Sequence, residues 1–443
     1  MSSRQKYSDK TVGSNIPAGR LSRFANMAHL TAGVAGSVVS EYAKQVSKGS
    51  SPQLKDLLLT PSNAKRVADK LMKMRGAALK MGQLLSMDSG EFIPPELALI
   101  LEKLRDNVDP MPFSQLTQLL NNEWGNDWHE NFKQFTFSPM AAASIGQVHS
   151  AYNLNGEKLA IKIQYPGISK SIDSDVDNVG TILKYSGLLP DITKIQNLLE
   201  ETKHQLHQET DYLLESNWIE TYQRHLANDQ DFIVPQVFKE HTTSNILCMS
   251  HHDGQNIDTF THLGPAEKNH IVSCLIKLTF KEIFELRHVQ TDPNFANYLY
   301  QPETHRIVLL DFGATRKLPR HVSDGYKHLL SAATKDNKKE MDKAIEQIGF
   351  FQENITRTQR NAVLELFQMA CEPFRHVGEY DFGNTNLARD VSVAGRELSF
   401  KQNYWHTPPA DALFLHRKIA GLYLIAAKLK TNINIQDLVL SHL

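Results

Sequence analysis

Cysteine is scarce. Cys248, Cys274 and Cys371 are the only three among 443 residues, and no two form a CxxC pair. That excludes a disulfide framework and a cysteine-rich zinc module, and it suits a reducing compartment. Charge of one sign is not in excess either. The formal net charge is -1, so nothing global points to nucleic acid. Long apolar runs are missing: the nearest candidates, Leu30 to Val39 and Ile419 to Ala427, fall short of the roughly 20 residues a membrane span needs. There is no secretory h-region with a cleavage site. The N-terminus carries Arg4, Arg20 and Arg23 but also Asp9, a weak transit peptide. This favours a cytoplasmic location, peripheral to the inner membrane, over a mitochondrial one. No HExxH pattern accompanies the 19 histidines. His204 and His207 share a helix face and His251 adjoins His252, but no carboxylate–histidine set supports a metal cluster, so these histidines read as solvated or structural.

Length alone suggests two or three domains and also suits one bilobal enzyme with extensions. Residues before Ile16 are polar and read as disordered. Residues Arg20 to Lys48 read as a helix with small residues at Ala32, Gly33, Ala35 and Gly36, a surface for close packing or for rest on a membrane. Thr60-Pro61-Ser62 starts an amphipathic helix through Val67, Leu71, Met74, Ala78, Met81 and Leu85. Lys80 and Gln83 lie on one face of it. From Phe132 the texture turns to strands. Gln147 to Tyr152 and Lys158 to Gln164 flank Asn155-Gly156, a hairpin signal. One long helix is expected over Asp191 to Asn228 and another over Lys268 to Leu286. Short apolar strands are expected at Asn245 to Met249 and Ile307 to Leu310. The remainder from Val322 is mainly helical.

Four pieces then occur in the order a protein-kinase fold requires. Ala160-Ile161-Lys162 lies on the second hairpin strand and matches the lysine that reaches nucleotide α- and β-phosphates. Asp292 and Asn297 have the spacing of the kinase catalytic loop, where the Asp takes or orients a hydroxyl proton and the Asn holds magnesium. Asp311-Phe312-Gly313 follows an apolar strand, where a kinase places its magnesium-binding Asp. A buried Lys162 requires a carboxylate, and Glu215 is the first choice with Glu209 as runner-up. Each piece alone could be a turn or a surface charge; their order and context carry the reading.

The departures are informative. No GxGxxG loop precedes Lys162. Ala141, Ala142, Ala143 and Ser144 stand there, letting backbone N–H groups approach phosphate in a stiffer loop. Gln290-Thr291 replaces His-Arg, Asn294 replaces the usual lysine, and no Ala-Pro-Glu motif follows Asp311-Phe312-Gly313. Nucleotide and magnesium groups are present, whereas groups for binding a peptide are not.

These departures resemble the UbiB/AarF family of atypical kinase-like proteins, in its coenzyme Q branch. Lys80, Gly82 and Gln83 in RGAALKMGQLLSMD resemble the family's KxGQ signature, AAASIGQVH (Ala141 to His149) its Ala-rich loop, and Glu209-Thr210-Asp211 its ExD motif. QTDPNFAN and DFGATR resemble its catalytic and metal-binding segments. The resemblance implies an α+β, kinase-like bilobal fold. Residues 16–130 would form a helical extension over the cleft, 131–250 the N-lobe and 251–443 a helical C-lobe. It implies a gate in which Lys80 and Gln83 meet Glu209 and Asp211. It further implies ATP or ADP and magnesium as cofactors, with Asp292 and Lys162 catalytic, Ala141 to Ser144, Lys162 and Glu215 at the nucleotide, and Asn297 and Asp311 on the metal. The implied partners are a lipid-like or isoprenoid small molecule, enzymes of ubiquinone biosynthesis and a membrane surface. The implied activity is that of an ATPase or small-molecule kinase. A nucleotide-binding scaffold without turnover and a true protein kinase are the alternatives.

Overall fold

The computed structural model describes residues 110–443 except 144, 186–191, 258–262, 293 and 402–409. The small-residue helix at Leu30 to Val39, the helix bearing Lys80, Gly82 and Gln83, and Ser144 lie outside the described residues. The chain divides into two compact units. One runs to Asn217 and takes in Gln236–His251; the other is Trp218–Pro235 with His252–Leu443.

The first unit is built on an antiparallel sheet. After α1 (Phe113–Trp124) come β1 (Phe132–Phe135), β2 (Ala141–Ala142), β3 (Gly146–Asn153) and β4 (Lys158–Gln164). The Asn-Gly turn between β3 and β4 puts Gly156 at φ 85°. The Asn153 side chain closes the hairpin by accepting from Glu157 N at 2.8 Å. Gly146 is required by a close approach: a Cβ there would lie 2.2 Å from the Ile163 carbonyl oxygen. Ala141 and Ala142 are strand residues paired with Val148 and Gln147, so the Ala-rich segment is not wholly loop. Extended alanines lie flat along β3 without steric penalty.

Three helices follow: α2 (Ile168–Tyr185), α3 (Ile192–Glu209) and α4 (Tyr212–His225). The sequence reading missed α2. Its buried Ile168, Ile172, Val176 and Val179 recur at helical spacing. They are diluted by serines and aspartates, which compete with the helix for backbone hydrogen bonds. The single helix expected over Asp191 to Asn228 is two. It breaks at Thr210, whose hydroxyl donates back to His207 O at 2.9 Å and whose carbonyl accepts from Gln164 Nε2 at 2.7 Å. Asp211 then starts α4 by accepting from Leu214 N at 2.9 Å. The chain gives β5 (Phe232–Ile233) to the second unit and returns with β6 (Ile246–Ser250), which completes the sheet order β1-β3-β4-β6. β4 is therefore interior, with Leu159, Ile161 and Ile163 all buried.

The second unit joins β7 (Gln255–Asn256), α5 (Pro265–Phe280), β8 (His288–Gln290), β9 (Tyr298–Gln301), β10 (Arg306–Leu309) and β11 (Thr315–Lys317). Its sheet has the order β5-β10-β9-β7, with β5 parallel to β10, and β8 pairs separately with β11. α5 runs on through a π-helical turn, Lys281–Leu286, and stops at Arg287, which is left-handed at φ 52°. The longer helices after β11 are α6 (Arg320–Thr334), α7 (Lys338–Ile348), α8 (Arg357–Ala370), α9 (Leu387–Lys401) and α10 (Ala410–Leu429). Among the described residues no helix is long and apolar enough to cross a membrane.

Candidate active site

Lys162 sits on β4 in a row of buried apolar residues, and its side chain is 11% exposed. An ammonium there needs a nearby opposite charge. Glu215, one turn into α4 and 1% exposed, supplies it: Lys162 Nζ donates to Glu215 Oε1 at 3.0 Å and to Oε2 at 3.1 Å. The Tyr212 ring lies 5.2 Å from the same ammonium. The break at Thr210–Asp211 matters here, because the first turn of α4 carries Glu215 to the sheet. Glu209, the runner-up, ends α3 and is also buried, whereas Asp211 is exposed and caps α4. Lys80, Gly82 and Gln83, the other half of the expected gate, lie outside the described residues.

Ala143 and Gly146 close the Ala-rich turn, with Ala143 N donating to Gly146 O at 2.9 Å. The following Gln147 and His149 are buried and have a structural task. Gln147 Oε1 accepts from Met111 N at 2.8 Å, and Gln147 Nε2 lies 2.7 Å from His149 Nε2. Burial pushes the pKa of His149 down, against a raising effect of its bond to Thr136 O.

In the second unit the loop after β8 is tied to the segment after β10. Thr291 donates twice to Ala314 O, from its amide at 3.1 Å and its hydroxyl at 2.8 Å. Gln290 pairs with Thr315 across β8 and β11, and its side chain accepts from Asp292 N at 3.0 Å. Gln290-Thr291 thus fixes the Asp292 backbone by local bonds. Asn297 is buried; its Nδ2 faces Asp292 O at 3.5 Å, and its carbonyl accepts from Leu310 N at 3.0 Å. Asp311 accepts from Gly313 N at 2.9 Å, and Phe312 is buried against the Tyr222 ring at 4.9 Å. Burial first, then the carboxylates of Glu282, Asp292 and Asp311, push the pKa of Tyr298 well above its ordinary value. Asn297 and Asp311 carry side-chain oxygens, the donor type magnesium takes.

The structure also gathers Asp231, His270 and Cys274, whose ligating atoms lie within 4.8 Å of one another. The signal was the i, i+4 spacing of His270 and Cys274 on α5. Burial and Asp231 lift the Cys274 thiol to about 12, and Lys277 lies 3.6 Å from Asp231, so the cluster is balanced as a thiol–carboxylate–ammonium set.

A strand lysine held by a helix glutamate, an Asp-x4-Asn loop and an Asp-Phe-Gly just after a strand define the kinase-like class. The ABC1 atypical kinase-like domain matches residues 103–345, and the chain belongs to that family. It is 35% identical over 98% of its length to "Atypical kinase COQ8B, mitochondrial" of Rattus norvegicus, covering 82% of that protein. It is 34% identical over 97% of its length to "Atypical kinase COQ8, mitochondrial" of Saccharomyces cerevisiae, covering 86% of it. Among solved structures, the Rv3197–erythromycin complex of Mycobacterium tuberculosis shares the fold. Its TM-score is 0.58 at 23% identity, over 85% of this chain and 94% of that one. The UbiB/AarF resemblance and the α+β kinase-like fold are borne out.

One expectation is overturned. A cytoplasmic location, with mitochondria disfavoured, conflicts with relatives that are named mitochondrial. The error lay in weighing Asp9 too heavily. Arg4, Lys6, Lys10, Arg20 and Arg23 accompany this single acid in the first thirty residues, a basic bias of the kind import signals use.

Proposed function

We propose that this chain is a magnesium-dependent, ATP-using enzyme, an ATPase or a kinase of a small lipid-like molecule, that supports ubiquinone biosynthesis in mitochondria. The observation that carries the reading is the buried, two-pronged Lys162–Glu215 pair. An ion pair is a costly occupant of a sheet interior, and it is explained if the ammonium must be aimed at phosphate. Glu215 orients Lys162, and Lys162 meets the α- and β-phosphates. Asn297 and Asp311 would hold magnesium, which when bound would offset charge on the phosphates. Asp292, its backbone fixed by Gln290, orients or deprotonates the attacking hydroxyl or water. Ala141, Ala142 and Ala143, with Ser144, line the phosphates by backbone amides. Glu209 and Asp211, with Lys80, Gly82 and Gln83 on the extension 16–130, restrict peptide entry.

The location follows the names of the relatives, and the pathway follows the motif resemblance. Departures at Asn294 and at the missing Ala-Pro-Glu weigh against a protein substrate. The test is turnover. Removing a positioned general base costs on the order of 10²–10⁴ in rate. Asp292→Asn should therefore bind ATP as the parent does and release phosphate that much more slowly. Equal phosphate release by the two proteins would remove Asp292 from the chemistry.

A further inference from the structure

The second unit contains a buried charged network that the chemistry above does not use. Glu282, in the π-helical turn after α5, is 1% exposed, and Lys418 on α10 is 2% exposed. Lys418 Nζ donates to Glu282 Oε2. The other carboxylate oxygen, Oε1, accepts from the Tyr222 hydroxyl at 2.7 Å and from the backbone amide of Gln290 at 3.2 Å. The Gln290 amide also reaches the Tyr222 hydroxyl at 3.1 Å. Tyr222, 1% exposed, packs its ring on Phe312. Two side chains from distant parts of the sequence, Glu282 and Tyr222, therefore meet one peptide N–H two residues before Asp292, and Lys418 holds the far oxygen of Glu282.

Packing does not account for this. Two charges out of water are costly, and apolar residues of the same volume often serve stability as well or better. Burial lowers the pKa of Lys418, against the raising effect of Glu282. The π-helical turn is itself a departure from regular helix of a kind frequent at functional sites. Besides Lys418 and Tyr222 the carboxylate accepts from one backbone amide, and that amide begins the loop whose next bond, Asp292 N to Gln290 Oε1, sets the Asp292 backbone.

We infer that Lys418, Glu282 and Tyr222 are positioning residues: they clamp the Gln290 amide and through it hold Asp292 in its working place. The inference rests on the reading of Asp292 as the residue that orients the attacking group. Glu282 supplies the acceptor, Lys418 holds that carboxylate in place, and Tyr222 adds a second acceptor while bracing Phe312.

The experiment uses the full chain and two readouts. Tyr222→Phe keeps the ring on Phe312 and removes only the hydroxyl. Lys418→Met removes the ammonium, and Lys418→Arg restores a charge. The first readout is amide exchange of the peptide spanning Gln290, with the β3–β4 hairpin peptide as internal control. Loss of one buried hydrogen bond predicts exchange faster by about tenfold at Gln290 in Tyr222→Phe, with the hairpin unchanged. The second is ATP turnover, in which kcat should fall by about tenfold at unchanged KM in Tyr222→Phe. Lys418→Arg should recover more activity than Lys418→Met. Lower melting temperatures with parental exchange at Gln290 and parental kcat per folded molecule would make the network merely structural and overturn the inference. If the parent itself turns over no ATP, the functional reading fails, and the exchange at Gln290 still decides whether the clamp exists.

Discussion

Lys162 and Glu215 are where sequence and chemistry meet. Glu215 is 1% exposed, and Lys162→Met would remove the ammonium that its buried carboxylate meets at 3.0 Å. Removing one partner of a buried pair costs about 3–5 kcal/mol. Urea unfolding should show a loss of that size for Lys162→Met, with much of it regained in Lys162→Met/Glu215→Leu. A loss under about 1 kcal/mol would put the pair in the surface class instead. His416 predicts a different dependence. It is buried against Phe350 and Phe367, its Nε2 lies 2.7 Å from the Tyr326 hydroxyl, and burial pushes its pKa down from 6.5 to about 4. Above about pH 6.5 neither folded nor unfolded His416 is charged. As pH falls from about 6.5 to 4, the unfolded chain takes up the proton and the folded chain does not. Stability contributed by the neutral ring is therefore lost over that window at about 1.4 kcal/mol per pH unit, and the slope vanishes below it. Tyr326→Phe/His416→Phe should lose about 2–3 kcal/mol less than the parent between pH ~7 and ~4.5. Parallel pH profiles would show that His416 titrates normally.

Elements were legible where one physical rule acted alone. The β3–β4 hairpin followed from alternation plus Asn-Gly, and the strand before Asp311 from its short apolar run. The demand of a buried lysine called for a carboxylate without separating Glu215 from Glu209, and the fold makes the contact through Glu215 in the first turn of α4. Sequence reasoning failed where tertiary bonds decided. The break between α3 and α4 depends on Gln164 reaching the Thr210 carbonyl from β4, which no local pattern announces. The two-residue β2 and the β8–β11 pair are too short for periodicity to report, yet β8–β11 sets the register of Gln290 against Thr315. α2 was missed because serine and aspartate dilute an apolar stripe that is nonetheless there. The Glu282–Lys418–Tyr222 network was invisible for a related reason: Glu282 and Lys418 stand 136 residues apart and meet only through the fold.

For the whole molecule, the chemistry divides between the two units. The first carries Lys162 and Glu215, proposed to meet the phosphates; the second carries Asp292 and the proposed metal residues Asn297 and Asp311. Each half is assembled by bonds internal to its unit, Lys162 by Glu215 and Asp292 by Gln290. The proposed function asks residues of both units to serve one nucleotide, so a magnesium-dependent affinity tests it more directly than any property of one unit. The most direct measurement is therefore ATP affinity of the full chain with magnesium and with magnesium chelated, in the parent and in Asp311→Asn. Magnesium should tighten binding by about tenfold or more in the parent, and Asp311→Asn should lose most of that gain. Equal affinity with and without magnesium in the parent would contradict the account.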